Sequence, residues 1–171
     1  MEVKKINELF GDVQTEQQWM FAYGSLSSTK LRYLLLENVS PVVPCKISKD
    51  LGYKRKWIQN SSLGSVTSGI FKVDNPIDIN GLIFPIVDGD FTKLDEYELG
   101  YKRYEMSWNS ILIENKEKYT GQKLWIYIPD QEYIKPELFF SKLPAIYVDY
   151  CMDGFREISE DYMIEFARTT D

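Results

Sequence analysis

The chain has 171 residues, 44% apolar and 27% charged, which is the balance of a globular domain large enough to bury its own core. Its formal net charge of −6, with no long basic stripe, argues against nucleic acid as a partner, because that affinity rests on neutralised phosphates. Histidine is absent and the two cysteines, Cys45 and Cys151, stand alone. This excludes Ser-His-Asp and Cys-His nucleophile systems, His-ligated zinc and Cys-x-x-Cys chemistry.

Residues 1–18 read as a polar leader, in which Ile6, Leu9, Phe10 and Val13 allow a short amphipathic helix. Residues 19–171 read as a single domain. The leader lacks the apolar segment of a signal peptide, and no apolar run is long enough to span a bilayer. A cytoplasmic setting without membrane contact is expected, and two unpaired cysteines fit a reducing compartment.

Trp19 to Tyr23 predicts a strand that ends abruptly in Gly24-Ser25. Ser27, Ser28 and Thr29 then offer N-cap residues for a helix from Ser28 to Glu37, with Leu31, Leu34 and Leu35 at helical offsets. Such a junction turns free backbone N–H groups and the positive end of a helix dipole toward one small volume. It suits an anion, or an oxygen that becomes anionic during a reaction. A side chain at position 24 would hold a ligand away from the backbone, hence the glycine.

Strands are expected at Val42–Ser48, Gly52–Ile58, Ser68–Val73 and Asn80–Val87, with residues 59–65 as loop. Lys54-Arg55-Lys56 reads as a solvated face rather than a binding site. Gly64 and Gly69 have the spacing of a phosphate-binding loop, but Ile70-Phe71 follows where Lys-Ser/Thr is required. Phe91 to Tyr97 has helical spacing. Tyr104–Glu114 and Lys123–Ile128 look like paired strands, with a turn at 119–122. Pro136 to Leu143 suggests a short helix. A longer helix begins at Pro144 and is stopped or kinked by Gly154, and a last one runs from Ser159 to about Arg168. Six or seven strands with helices at these places predict an α+β fold, a small mixed β-barrel with flanking helices.

Two stretches carry the chemistry. The first is Phe21-Ala22-Tyr23-Gly24-Ser25-Leu26. The second, about seventy residues on, is Leu94-Asp95-Glu96-Tyr97-Glu98. If Leu94 faces the core, Glu98 at i+4 lies on the same side of its helix, where a carboxylate is costly unless it has a purpose. In that order the two stretches resemble the gamma-glutamylcyclotransferase family, which pairs an early Tyr-Gly-Ser turn with a later Leu-Asp-x-x-Glu-Gly helix. Leu99 stands where the family has glycine, and Gly100 comes one place later. Tyr127 matches a downstream tyrosine that faces the family's site, and Tyr147 to Phe155 with the closing helix also resembles the family. The similarity spans residues about 19 to 170.

The resemblance implies an enzyme of acyltransferase or lyase type that needs neither metal nor cofactor. The α-amine of a γ-glutamyl amine or amino acid adds to its own γ-carbonyl, giving 5-oxoproline and a free amine. Because both groups belong to one molecule, orientation supplies much of the rate, up to roughly 10 kcal/mol. Glu98 is then the general acid/base, with a pKa raised by partial burial among Tyr97, Tyr101 and Tyr104. Tyr23, Gly24, Ser25, Leu26 and Tyr127 bind the substrate. The turn holds either the α-carboxylate or the developing oxyanion, and the sequence leaves both roles open. Two other readings remain. One is a non-catalytic binding module on the same scaffold, motivated by Leu99. The other, ranked lower, is the glutathione-specific branch, because Ser27-Ser28 replace its apolar-aromatic pair. The sequence leaves the oligomeric state open.

Overall fold

The computed structural model describes residues 17–135 and 143–171. The expected leader helix, and all of the expected 136–143 helix except Leu143, lie outside the described residues. Nine strands are present among them: β1 (Gln18–Ala22), β2 (Val43–Ile47), β3 (Tyr53–Asn60), β4 (Ser65–Lys72), β5 (Ile79–Ile86), β6 (Tyr101–Met106), β7 (Ile111–Leu112), β8 (Lys123–Pro129) and β9 (Ile134–Lys135). The helices are α1 (Thr29–Leu35), α2 (Phe91–Tyr97), α3 (Ala145–Arg156) and α4 (Glu160–Thr169), and short 3-10 turns link several strands to one another or to a following helix.

Six strands form a curled half-barrel in the order β6-β8-β1-β5-β2-β7, and β4-β3-β9 form a second sheet. The expected α+β architecture is present, with β6 and β7 left as the edges of the larger sheet. β1 sits inside that sheet, antiparallel to β5 (Ala22 opposite Leu82) and parallel to β8 (Phe21 opposite Ile126). Both of its faces are buried. Phe21 joins Ile47, Ile83 and Ile126 on one side, and Met20 and Ala22 join Leu82, Phe84 and Leu94 on the other. An interior strand with two covered faces needs apolar residues in succession, which explains the unbroken run.

The structure corrects several sequence expectations. Tyr104–Glu114 is not one strand. Ser107 caps a 3-10 turn at Trp108–Ser110, so β6 pairs with β8 while β7 crosses to β2. The first helix is shorter than expected and ends at Leu35, with Leu34 turned to solvent. Gly154 does not stop α3, which runs on to Arg156. A Cβ at Gly154 would strike the backbone of Ser27, so the glycine lets the helix press against the turn that follows β1.

Candidate active site

The turn after β1 comes first. Tyr23, Gly24 and the 3-10 turn Ser25–Ser27 are buried between sheet and helix. Every carbonyl from Tyr23 to Ser27 is held. The Gly24 and Ser25 oxygens accept from the N–H groups of Ser27 (3.0 Å) and Ser28 (2.9 Å). The guanidinium of Arg55 donates to the Tyr23 oxygen (3.2 Å), and that of Arg32 donates to Leu26 (2.9 Å) and Ser27 (2.5 Å). The N–H groups of Gly24, Ser25 and Leu26 donate to no other described residue. The donors are therefore peptides of the turn itself. α1 begins later, where Ser28 accepts from Leu31 N–H (3.3 Å), and with only seven residues it contributes little dipole.

Gly24 has a second reason to lack a side chain. Its φ of −143° is open to any residue, but a Cβ there would collide with Ser68 Oγ. Ser68 is held in turn by Tyr147 from the first turn of α3, whose hydroxyl lies 3.0 Å from Ser68 N and 3.1 Å from its Oγ.

α2 brings the acid. Leu94 is fully buried, and the same side of the helix carries Glu98, which caps its C-terminal end and donates its N–H to the Leu94 carbonyl (2.9 Å). Glu96 points to solvent. Glu98 lines a small inner cavity together with Tyr23, Gly24, Ser25, Leu26, Ser68, Tyr101, Tyr127 and Tyr147. All six residues expected at the site from the sequence meet there. Burial lifts the Glu98 carboxyl from 4.5 to about 8. Burial also pushes the hydroxyls of Tyr23, Tyr101, Tyr127 and Tyr147 upward. Among the residues lining this cavity, Glu98 is left as the group that changes charge near neutral pH.

Tyr127 has an additional attachment. Its hydroxyl donates to Asp95 Oδ1 (2.5 Å), and Asp95 also faces Arg103 (3.5 Å), the residue opposite Tyr127 on β6. The aspartate of the Leu94-Asp95 pair thus ties the end of α2 to the sheet. Tyr97 reaches across the turn to Ser25 Oγ (3.0 Å). Tyr104, expected as a wall for Glu98, is instead exposed.

The displaced glycine has a direct explanation. The residue after the helix end that takes a left-handed conformation is Gly100 (φ 84°), and Leu99 ahead of it is half-exposed. The buried Asn60 side chain donates to the Leu99 carbonyl (2.9 Å), and a Cβ on Gly100 would meet Asn60 Oδ1 at 2.9 Å.

The inner cavity has room for about 20 Å³, little more than a water molecule. It shares Ser25, Glu98, Tyr101 and Tyr147 with an outer chamber of about 310 Å³, completed by Leu63, Ser65, Thr67, Glu96, Tyr97 and Leu99. Sequence reasoning missed this chamber, and it missed both arginines. Arg55, expected on a solvated face, is completely buried. A signal was present: alternation along β3 places Arg55 on the same face as Trp57, and both pack on Phe166.

A family model described as "Gamma-glutamyl cyclotransferase, AIG2-like" matches residues 20–142. No curated protein matches the sequence. Solved structures share the fold at low identity. One titled "Gamma-glutamyl cyclotransferase" has a TM-score of 0.64 at 15% identity, over 90% of this chain and 88% of its own. An uncharacterized protein from Homo sapiens has a TM-score of 0.62 at 17% identity, over 90% and 88%. A glutathione-specific gamma-glutamyl cyclotransferase from yeast has a TM-score of 0.56 at 14% identity, over 90% and 97%.

Proposed function

The chain belongs to the gamma-glutamyl cyclotransferase, AIG2-like family, and from that premise we propose that it cyclises a γ-glutamyl amine or amino acid to 5-oxoproline with release of the amine. One observation carries the reading: a carboxyl that burial lifts to about 8 shares a cavity with three peptide N–H groups that have no partner among the described residues. The inner cavity is too small for a whole substrate. Most of a γ-glutamyl compound therefore occupies the outer chamber, with its γ-carbonyl at the wall of Ser25 and Glu98 that the two spaces share.

Ionised Glu98 takes a proton from the substrate's α-ammonium. The freed amine attacks the γ-carbonyl carbon, closing a five-membered ring and placing negative charge on the carbonyl oxygen. Collapse of that intermediate breaks the old γ-carbon–nitrogen bond as Glu98 returns its proton to the departing nitrogen, and the surplus proton of the new ring nitrogen passes through Glu98 to the released amine, which leaves as its ammonium. The N–H groups of Gly24, Ser25 and Leu26 hold either that oxygen or the α-carboxylate, and one such donor is worth about 10²–10³ in rate. The chain supplies no nucleophile because the substrate carries its own. Tyr97, with its hydroxyl pushed up to about 12 by burial, stays neutral and keeps Ser25 in place.

The test is incubation with a panel of γ-glutamyl amines and amino acids, including glutathione, followed by mass-spectrometric detection of 5-oxoproline. Product from one or more members is expected. Saturable binding with no product across the panel would replace this reading with a non-catalytic module.

A further inference from the structure

Arg55 is the feature that the reaction scheme does not use. Its side chain is completely buried, and among the described residues no carboxylate lies within ion-pair distance of it. Neutral acceptors surround it instead: Asn80 O (2.7 Å), Asn80 Oδ1 (2.7 Å), Thr170 Oγ1 (2.7 Å), Thr169 Oγ1 (2.8 Å), Phe166 O (3.4 Å) and Tyr23 O (3.2 Å). Phe166 lies under the guanidinium at 4.2 Å. A cation in such a place usually has an anionic partner, because taking it out of water costs several kcal/mol.

The Tyr23 bond shows where this charge acts. In a planar trans peptide the C=O and the following N–H point in opposite directions. A guanidinium on the Tyr23 oxygen therefore aims the Gly24 N–H away from Arg55 and polarises it as a donor, and Gly24 lines the inner cavity. We propose that Arg55 is a positioning residue whose charge, without an ion-pair partner among the described residues, acts through the Tyr23–Gly24 peptide, so that the turn favours an anionic group in a cavity that no described basic side chain lines. Glu165, itself paired with Lys46, acts on Arg55 only from beyond ion-pair distance, and the close anionic partner of Arg55 is then the anionic part of the substrate or intermediate, felt across one peptide unit. The identity of that anion rests on the cyclotransferase reading; the action of Arg55 on the turn does not. Burial lowers the guanidinium to about 9, so it is cationic at neutral pH.

Asn80→Asp separates this role from a purely structural one. It keeps the guanidinium in place and gives it a carboxylate at the position of Oδ1, at the cost of the amide's bond to the Tyr162 carbonyl (2.8 Å). A structural Arg55 would be held as firmly as before and turnover per folded molecule would not change. The inference expects a folded Asn80→Asp protein whose Gly24 amide proton resonance moves upfield. Its kcat should fall about tenfold or more, with a smaller change in KM. Arg55→Met should lose about a hundredfold, and Arg55→Lys should recover part of that loss. Should Arg55→Met fail to fold, Asn80→Asp and Arg55→Lys carry the test. An unmoved Gly24 resonance, or kcat within twofold of wild type in folded Asn80→Asp, overturns the inference and leaves the cyclotransferase reading intact. If the wild-type protein releases no 5-oxoproline from any substrate, the functional reading falls. The inference is then judged by acetate titration: a Gly24 amide response in wild type that Asn80→Asp abolishes supports it, and any other result overturns it.

Discussion

Replacing Glu98 by glutamine should destroy activity and, above neutral pH, make the protein more stable. The wild-type carboxyl titrates at 4.5 in a free glutamate and at about 8 in the fold, because burial penalises the charged form. The folded state therefore holds the proton more tightly than the unfolded chain. The sign follows: stability is complete below pH 4.5 and is lost as pH rises toward 8, where the folded site must ionise in poor solvent. At about 1.4 kcal/mol per pH unit between those values, the ceiling is about 5 kcal/mol; remaining solvent contact brings the expected loss to about 2–3 kcal/mol. Glutamine has the same shape and never ionises, so Glu98→Gln escapes that loss. For a domain of this size the difference is about 4–12 °C in Tm at pH 8.5, vanishing near pH 4.5. Thermal melts of both proteins across pH 4.5–9 provide the measurement, paired with 5-oxoproline release. Wild-type kcat/KM should rise about tenfold per pH unit below pH 8, as the ionised form fills, and the variant should lose about 10²–10⁴ in rate. Parallel melting curves for the two proteins, or retained turnover in Glu98→Gln, would refute the reasoning.

Three further changes test the surroundings. Gly24→Ala should cut turnover about a hundredfold by pushing Ser68 into the cavity, and adding Ser68→Ala should recover part of the rate because the clash is chiefly with Ser68 Oγ; a double-mutant cycle with coupling below about 0.5 kcal/mol would count against this. Tyr127→Phe should cost about 1–2 kcal/mol in denaturant unfolding by leaving Asp95 short of a donor, and it should lower kcat through the loosened end of α2; an unchanged midpoint with unchanged kcat would show that the tether is idle. Leu99→Gly should leave stability within about 1 kcal/mol of wild type, whereas Gly100→Ala should cost about 2 kcal/mol or more, since that position combines a left-handed φ with contact against Asn60; equal costs would place the requirement elsewhere.

What the sequence made legible were features encoded locally. The apolar run of β1 ending in Gly24-Ser25, the periodicity of Phe91–Tyr97 and the offset of four between Leu94 and Glu98 are each read over a few residues, and the structure places the turn and Glu98 on one cavity. The family resemblance supplied the link between those stretches, which periodicity alone does not contain. What stayed illegible depends on partners far along the chain. Arg55 is buried only because Tyr23, Asn80, Thr169 and Thr170 converge on it, and a Lys-Arg-Lys run read in isolation carries none of that. The break at Ser107 is a capped turn inside an alternating pattern, where β propensity on both sides hides the corner. Gly154 reads as a helix stop or kink because helix propensity is a local scale, yet in the fold it admits a neighbouring backbone.

The placement of β1 bears on how the chain is made. Gln18 is paired with Lys123, 105 positions later, so the strand that carries the turn lacks a neighbour on that side until most of the polypeptide has emerged. At about 5–20 residues per second, the ribosome takes roughly 5–20 s to deliver that neighbour. Non-local pairing of this kind is slow to nucleate, and a nascent chain stalled before β8 would present an apolar edge to chaperones rather than a partly formed site.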